Sequence, residues 1–215
     1  MRFLSLDPGL TTGWALWDLQ IGYHGRLKLI EYGALVSPVG YKAGKTGRIE
    51  LRQWLASELR KMPKHDEACT DDDASFNATC IAAVGAFEAA RNWCDEHGLC
   101  IKGRKRIGEY PRKSGICTVE RLSKRSVRVT RSFLDADGSA KEKAQTAVSV
   151  PKYRFAVEAL VEQPLAGTKV HELDAMAIGI HHAHTAHCWK PSGWIDPKIT
   201  RQIEQHKAAM DLFRR

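Results

Sequence analysis

The N-terminal third of the chain alternates short apolar runs with turn residues. The first run ends at Asp7, after which Pro8-Gly9 predicts a turn, and His24-Gly25 predicts another. Three runs have the composition of β-strands: residues 3–6, 13–18 and 27–36. Because short turns join them, they predict an antiparallel meander, followed by a polar loop over residues 40–47.

Most of the remaining chain repeats its apolar residues every three to four positions, which is helical spacing. Five segments predict helices in this way: 48–62, 78–97, 139–150, 153–161 and 173–184. A weaker amphipathic pattern covers 199–212. Residues 64–77 carry little that favours a strand, and 99–137 mixes short β-like pieces with turn residues. The sequence contains no internal repeat.

The composition is that of an ordinary globular chain. Of the 215 residues, 43% are hydrophobic, which is enough to form a core in one domain with extensions or in two small ones. No apolar run approaches the roughly 18 residues of a membrane span. Asp7 interrupts the first run too early for a secretory signal. Six cysteines without CxxC spacing favour reduced thiols, so we expect a cytoplasmic protein.

Positive charge is concentrated in one segment. Residues 102–131 hold eleven Lys and Arg side chains against Glu109 and Glu120, so this basic block carries +9 whereas the whole chain carries +8. Such a block is typical of a surface that contacts nucleic-acid phosphates, with salt-dependent binding. The alternative is a solvated basic loop without a partner.

Two acidic motifs lie far apart in the chain. Asp7 ends an apolar strand beside a turn whose Gly9 leaves room for a phosphate or a metal. His171 and Asp174 are three positions apart, so on a helix they share one face. Carboxylates and an imidazole that converge from both ends of the chain would suit Mg²⁺ or Mn²⁺. Two such ions about 3.5–4 Å apart can activate water and neutralise the leaving oxygen of a phosphodiester.

Each motif alone has a plainer interpretation. Asp-Pro-Gly is usually just a turn. His-x-x-Asp at a helix start is usually a cap with an acid stabilised by the helix dipole. The case for a metal site rests on the two motifs occurring together, in this order, in a chain with a basic block.

Several segments resemble RuvC-type Holliday-junction resolvases, which belong to the ribonuclease-H-like superfamily. Residues 3–16 resemble their first strand and turn, 138–145 their Gly-x-Ala-x-Lys segment, and 171–182 their closing helix. The predicted helices at 48–62 and 78–97 fit the same order. The second of these ends in a sequence similar to that of phage members.

The resemblance implies an α/β fold, a ribonuclease-H-like mixed five-stranded sheet flanked by helices. It also implies a homodimer that cuts branched DNA and leaves 5′-phosphate and 3′-hydroxyl ends. Asp7, His171 and Asp174 would be catalytic metal ligands for two ions of Mg²⁺ or Mn²⁺. Lys141 and Lys143 would bind the scissile phosphate, with a solvated helix face as the alternative.

The same resemblance suggests how the chain is divided. A nuclease domain would span 1–188, with a basic insertion at about 102–126 that contacts DNA. Residues 189–215 would form a polar extension. The insertion supplies four further candidates for DNA binding: Lys102, Arg104, Lys105 and Arg106.

One carboxylate of the family pattern is hard to locate. The resolvases carry a Glu at the end of their fourth strand, which should fall between the first two predicted helices. The candidates there are Glu67 and residues 71–73, and the best register places Asp71 at this position, as a further catalytic metal ligand. Glu88 would compete only within a strand, which the helical spacing around it argues against. Without a carboxylate here, the protein would bind junctions without cutting them.

The sequence has features of two other classes of site. Histidines near Cys188 resemble a zinc site by composition, but on one helix end we expect them to face different directions: His181, His182, His184 and His187. An actin-like or kinase-like phosphotransferase also ends its first strand in Asp-x-Gly. That class needs a duplicated domain and a second Gly-rich phosphate loop, and the sequence shows neither.

Overall fold

The computed structural model describes residues 1–20, 25–38, 44–71, 81–97, 108–123, 154–192 and 194. Within these ranges the elements are, in chain order, β1 Arg2–Asp7, β2 Thr11–Leu19, β3 Leu27–Val36, α1 Gly44–Leu59, β4 Glu67–Asp71, α2 Ile81–His97, β5 Glu109–Tyr110, α3 Arg112–Ser123, α4 Arg154–Val161 and α5 Val170–Ala186.

The strands form one mixed sheet in the order β3-β2-β1-β4-β5. The first three pair antiparallel, as the short turns between them predict, whereas β4 and β5 continue the sheet in parallel with β1. A parallel neighbour needs a crossover connection, and α1 provides it between β3 and β4. The predicted mixed five-stranded sheet flanked by helices is confirmed.

Side-chain alternation divides β1 between two cores. Leu4 and Leu6 face α1 and α2, whereas Phe3 faces the helices on the opposite side, α3, α4 and α5. Ser5 and Asp7 follow Phe3 at intervals of two, so they lie on its face. We call this side of the sheet the α5 face.

Helix α5 runs across the α5 face antiparallel to β1 and β4. Its first turn meets the end of β1, where His171 contacts Asp7. Its far end meets the beginning of β4, where His182 contacts Glu67. The two ends of the helix therefore lie over opposite ends of the parallel strands.

Trp17 fixes the middle of α5 on the sheet. Its indole Nε1–H donates to Ser5 Oγ at 2.9 Å, and the ring stacks on Phe3 with centroids 6.0 Å apart. Gly179 of α5 lies directly against the indole, and a Cβ at this position would overlap the ring. Only a glycine at position 179 therefore allows the helix to approach the sheet this closely.

The structure departs from the sequence prediction in the middle of the chain. Residues 67–71 form the short central strand β4, although their composition did not favour one. Part of the predicted basic insertion is helix α3, which buries Val119 and Leu122 against the α5 side of the core. Residues 112–123 are thus a packed element, and the rest of the predicted domain division stays a prediction. Two predicted helical segments lie outside the described residues, 139–150 and 199–212, as do residues 99–107 and 124–137 of the segment with short β-like pieces.

None of the helices in the described ranges combines the length and apolar content needed to cross a bilayer.

Candidate functional site

Asp7 lies at the carboxyl end of β1, opposite Gly13 of β2. The turn between these strands is held by Thr12, whose hydroxyl donates to the Gly9 carbonyl oxygen at 3.1 Å. Only 5% of Asp7 is exposed. Strand pairing, the turn and burial together restrict where its carboxylate can lie.

His171 reaches this carboxylate from the other end of the chain. Its Nδ1 lies 2.8 Å from Asp7 Oδ2, and 46% of its side chain is exposed. Gly13 makes the approach possible, because a Cβ there would overlap the carbonyl oxygen of His171. The structure brings Asp7 and His171 together, and their roles as metal ligands stay a prediction.

Asp71 lies beside Asp7 on the neighbouring strand. The two strands are parallel with Leu6 opposite Thr70, so the next residue on each is an aspartate. Adjacent strands are about 4.8 Å apart, and residues in register point to the same face. Asp71 is 3% exposed, which agrees with a position under α5.

The third carboxylate is that of Asp174, which lies in α5 rather than in the sheet. It follows His171 by three residues on α5 and is 1% exposed. The first turn of α5 is capped by Glu172, whose carboxylate accepts from the Lys169 N–H at 2.7 Å. The positive end of this helix dipole lies over the carboxyl ends of β1 and β4, where it stabilises negative charge.

Three buried carboxylates and one imidazole belong to this end of the α5 face, where His171 contacts Asp7. In the described part of the chain, these four residues do not bring three ligand atoms within 4.8 Å of one another. When carboxylates share a desolvated place, their negative charges repel one another, and a divalent cation offsets that repulsion. Oxygen-rich sets of this kind suit Mg²⁺ or Mn²⁺ rather than softer metals. The chemistry of the residues therefore fits the cations implied by the sequence.

The other candidates for the missing carboxylate lie elsewhere. Glu88 is in α2, as its helical spacing predicted, and forms an ion pair with Arg48 of α1. Glu67 begins β4, four residues before Asp71 and so about 13 Å from it at a strand rise of about 3.3 Å. Residues 72–73 lie outside the described residues, as do all the basic candidates: Lys102, Arg104, Lys105, Arg106, Lys141 and Lys143.

The histidines at the end of α5 face different directions, but two of them converge. His181 Nδ1 lies 2.8 Å from Thr118 Oγ1, and His184 Nδ1 lies 2.8 Å from the Trp189 carbonyl oxygen. The convergent pair is His182 and His187, both of which contact Glu67.

Burial controls the charge at this end of the helix. It lowers the pKa of His181 to about 4, with the neighbouring His184 adding to the effect. Burial also lowers the pKa of His182, although the bond with Glu67 opposes this. For Glu67 itself burial opposes ionisation, but the hydrogen bonds with His182 and His187 hold the pKa of its carboxyl below the ordinary value. At neutral pH, Glu67 is therefore ionised while His181 and His182 are neutral.

Sequence reasoning missed two contributions. Gly13 was included only as the first residue of a predicted strand, and its role is to admit the first turn of α5 next to Asp7. Glu67 was considered only for the carboxylate site, because no local pattern shows that a strand would carry it to the far end of α5. The role of Gly13 could in principle be inferred from its position in a strand opposite a functional Asp. The role of Glu67 could not be inferred from the sequence.

The sheet order, the mixed pairing and the flanking helices define a ribonuclease-H-like fold. Among solved structures, the chain is similar to Thermus thermophilus RuvC in complex with Holliday junction substrate, with 13% sequence identity, a TM-score of 0.51, and coverage of 87% of this chain and 96% of that chain. Another T. thermophilus RuvC structure matches with 15% identity, a TM-score of 0.49, and coverage of 89% and 99%. No protein-family model and no curated protein matches the sequence.

Proposed function

We propose that this protein is a metal-dependent endonuclease that cuts branched DNA, a resolvase of the RuvC type. The observation that supports this most strongly is the placement of Asp7 and Asp71 at the ends of adjacent parallel strands. His171 in the first turn of α5 contacts Asp7, and Asp174 follows it by three residues on the same helix. The four side chains come from three separate parts of the chain.

Asp7, Asp71, Asp174 and His171 are the residues that would hold two divalent cations, Mg²⁺ or Mn²⁺. Cations there would lower the pKa of an attacking water and neutralise the leaving 3′ oxygen. Hydrolysis would then give 5′-phosphate and 3′-hydroxyl ends.

The protein itself restricts where the proposed ligands can lie. The contact between His171 Nδ1 and Asp7 Oδ2 restricts the rotation of both side chains. Because this contact occupies Nδ1, the half-exposed imidazole would bind a cation through Nε2.

Branched DNA is the substrate and a homodimer the assembly that we propose. One of the similar solved structures is RuvC in complex with Holliday junction substrate, and the basic block of this chain suits phosphate contacts. Two copies would cut two symmetric strands. The ending of the second helix, similar to that of phage members, extends the proposal to a phage-encoded enzyme that acts in the host cytoplasm.

A protein of the same fold that binds junctions and cuts them weakly or not at all is the second candidate. The observation in its favour is Asp71, which stands where the resolvases carry a longer Glu. A shorter side chain reaches less far over the end of the sheet, and a second cation would be held less firmly.

We expect the purified protein with Mg²⁺ to cut a synthetic four-way junction and to leave a linear duplex of the same sequence intact. EDTA should stop the reaction, because the carboxylates need cations to act on a phosphodiester, and added Mn²⁺ should restore it. DNA ligase should rejoin the products if the ends are 5′-phosphate and 3′-hydroxyl. Binding without cutting in either metal would favour the second candidate, and absence of junction binding would contradict both.

Replacement of Lys102, Arg104, Lys105 and Arg106 by Ala should weaken junction binding about equally for any sequence. Each lost phosphate contact should reduce the slope of log K against log salt by about 0.9. Binding titrations at several salt concentrations measure this. The control is Arg60→Ala with Lys64→Ala, two exposed residues outside the basic block, which should leave the slope unchanged. An unchanged slope in the first variant would show that the basic block does not contact DNA.

A further inference from the structure

The end of α5 opposite the carboxylate site carries a second cluster of ligand-type side chains, which the proposed nuclease chemistry does not use. His182 Nε2 lies 3.1 Å, and His187 Nε2 lies 2.8 Å, from the same oxygen, Glu67 Oε2. One donor atom from each of the three residues lies within 4.8 Å of the other two.

The cluster is enclosed and its parts come from different elements. Glu67 begins β4 and lies in register with Phe3 of the central strand. His182 lies within α5 and has no exposed side-chain surface, whereas the side chains of His187 and Glu67 are 11% and 13% exposed. The three side chains are therefore largely removed from solvent.

His187 is held in place by the way the chain turns after α5. Cys188 adopts a left-handed conformation with φ of 55°, and the Trp189 N–H then donates to the Ala183 carbonyl oxygen at 3.0 Å. Trp189 is buried in the core. The segment that carries His187 is therefore anchored on both sides.

His182 is oriented by a partner on its other ring nitrogen. The Tyr110 hydroxyl oxygen lies 2.9 Å from His182 Nδ1, while Nε2 points to Glu67. Metal-binding histidines in proteins typically have such a partner, which fixes the ring orientation and leaves one nitrogen for the metal. Tyr110 belongs to β5, so a third strand or helix contributes to the cluster.

We propose that Glu67, His182 and His187 bind a divalent cation of the zinc class, with water as the fourth ligand. Two imidazoles and one carboxylate suit Zn²⁺ better than Mg²⁺. Tetrahedral ligands about 2.0–2.1 Å from zinc lie about 3.3 Å apart. The Nε2–Oε2 separations of 2.8 and 3.1 Å therefore need to open by only a few tenths of an ångström.

The cation would join the beginning of β4 to the end of α5. The site is separate from the carboxylates that begin at Asp7, and cation binding there does not depend on whether the protein cuts DNA. Without metal, the same three residues form a hydrogen-bonded cluster in which one carboxylate oxygen accepts from two imidazoles. A measurement of how many zinc ions each chain binds distinguishes the zinc site from a cluster held by hydrogen bonds alone.

The test is zinc binding by the full chain, stripped with EDTA and then dialysed against Zn²⁺ in excess Mg²⁺, which occupies oxygen-rich sites. We expect about one zinc ion per chain by elemental analysis. Glu67→Gln should lower zinc affinity at least about tenfold, because an amide is a poor ligand. Gln can still accept hydrogen bonds from both imidazoles, so this variant should keep the fold. Tyr110→Phe should weaken binding about tenfold through the loss of the partner on His182.

Two controls separate this site from others in the chain. His97→Gln removes an imidazole at the end of a different helix and should bind zinc as the parent does. The double variant Asp7→Asn with Asp174→Asn should also retain the zinc. If the parent chain binds no zinc, or if Glu67→Gln binds it as tightly as the parent, the proposal is wrong. A folded His187→Gln variant, checked by circular dichroism, that keeps full zinc binding would overturn it as well.

Discussion

Asp7→Asn should reduce junction cutting about a thousandfold or more while junction binding persists. The amide keeps the size of the side chain but removes the negative charge that attracts a cation. Loss of metal-based stabilisation worth about 4 kcal/mol in the transition state corresponds to a thousandfold in rate. Cleavage is measured by single-turnover assay with Mg²⁺, and binding by electrophoretic mobility shift in EDTA.

The matched control for this change is Asp18→Asn. Asp18 lies on the same hairpin at the opposite end, paired with Arg2, and its side chain is 37% exposed. We expect its cutting rate to stay within about twofold of the parent, since ordinary surface substitutions have small effects. If Asp7→Asn cuts as well as Asp18→Asn, the carboxylate site is not the catalytic centre. Asp71→Asn under the same conditions tests whether β4 supplies the third carboxylate.

Gly13→Ala should produce the largest loss of stability among single methyl additions to the sheet. The added carbon would overlap the backbone carbonyl of His171, and backbone, unlike a side chain, cannot change rotamer to relieve the overlap. We expect the free energy of unfolding to fall by about 3 kcal/mol or more. In a chain of this size that corresponds to a decrease in Tm of roughly 6–12 °C.

Gly33→Ala is the matched control in the adjacent strand. The three atoms nearest to a Cβ there belong to the side chain of Trp14, at 3.1–3.2 Å, and these can shift. Its unfolding free energy should change by no more than about 1 kcal/mol. Thermal unfolding followed by circular dichroism compares the two. A Gly13→Ala protein as stable as Gly33→Ala would show that α5 does not depend on this close approach, and the contact between His171 and Asp7 would then need another explanation.

The local sequence pattern was sufficient to predict those elements whose partners are close in the sequence. The three antiparallel strands were predictable because short turns join them, so each strand meets the next one in the sequence. The helices α1, α2, α4 and α5 were predictable from their apolar spacing. Helix α3 was not, because eleven basic residues in its region obscured a pattern with few buried positions, of which Val119 and Leu122 are two.

Strand β4 shows why the central part of the sheet was not predictable from the sequence. Its five residues, Glu67–Asp71, include no Val or Ile, and its burial comes from helices on both faces of the sheet rather than from its own composition. A parallel central strand is selected by distant partners. The sequence therefore indicated Asp71 as the residue at the position of the missing carboxylate, but its composition did not predict the strand in which Asp71 lies.

The sequence by itself determined the first hairpin, the carboxylate at its end, the basic block, and the His-x-x-Asp helix that resembles the last motif of the resolvases. Only the tertiary structure decided which side chains meet. Parallel pairing of β1 with β4 places Asp71 beside Asp7, and the antiparallel course of α5 carries His171 to one end of the strands and His182 to the other. Such contacts join residues more than 60 positions apart, so they depend on register and helix direction, which no local window of sequence contains.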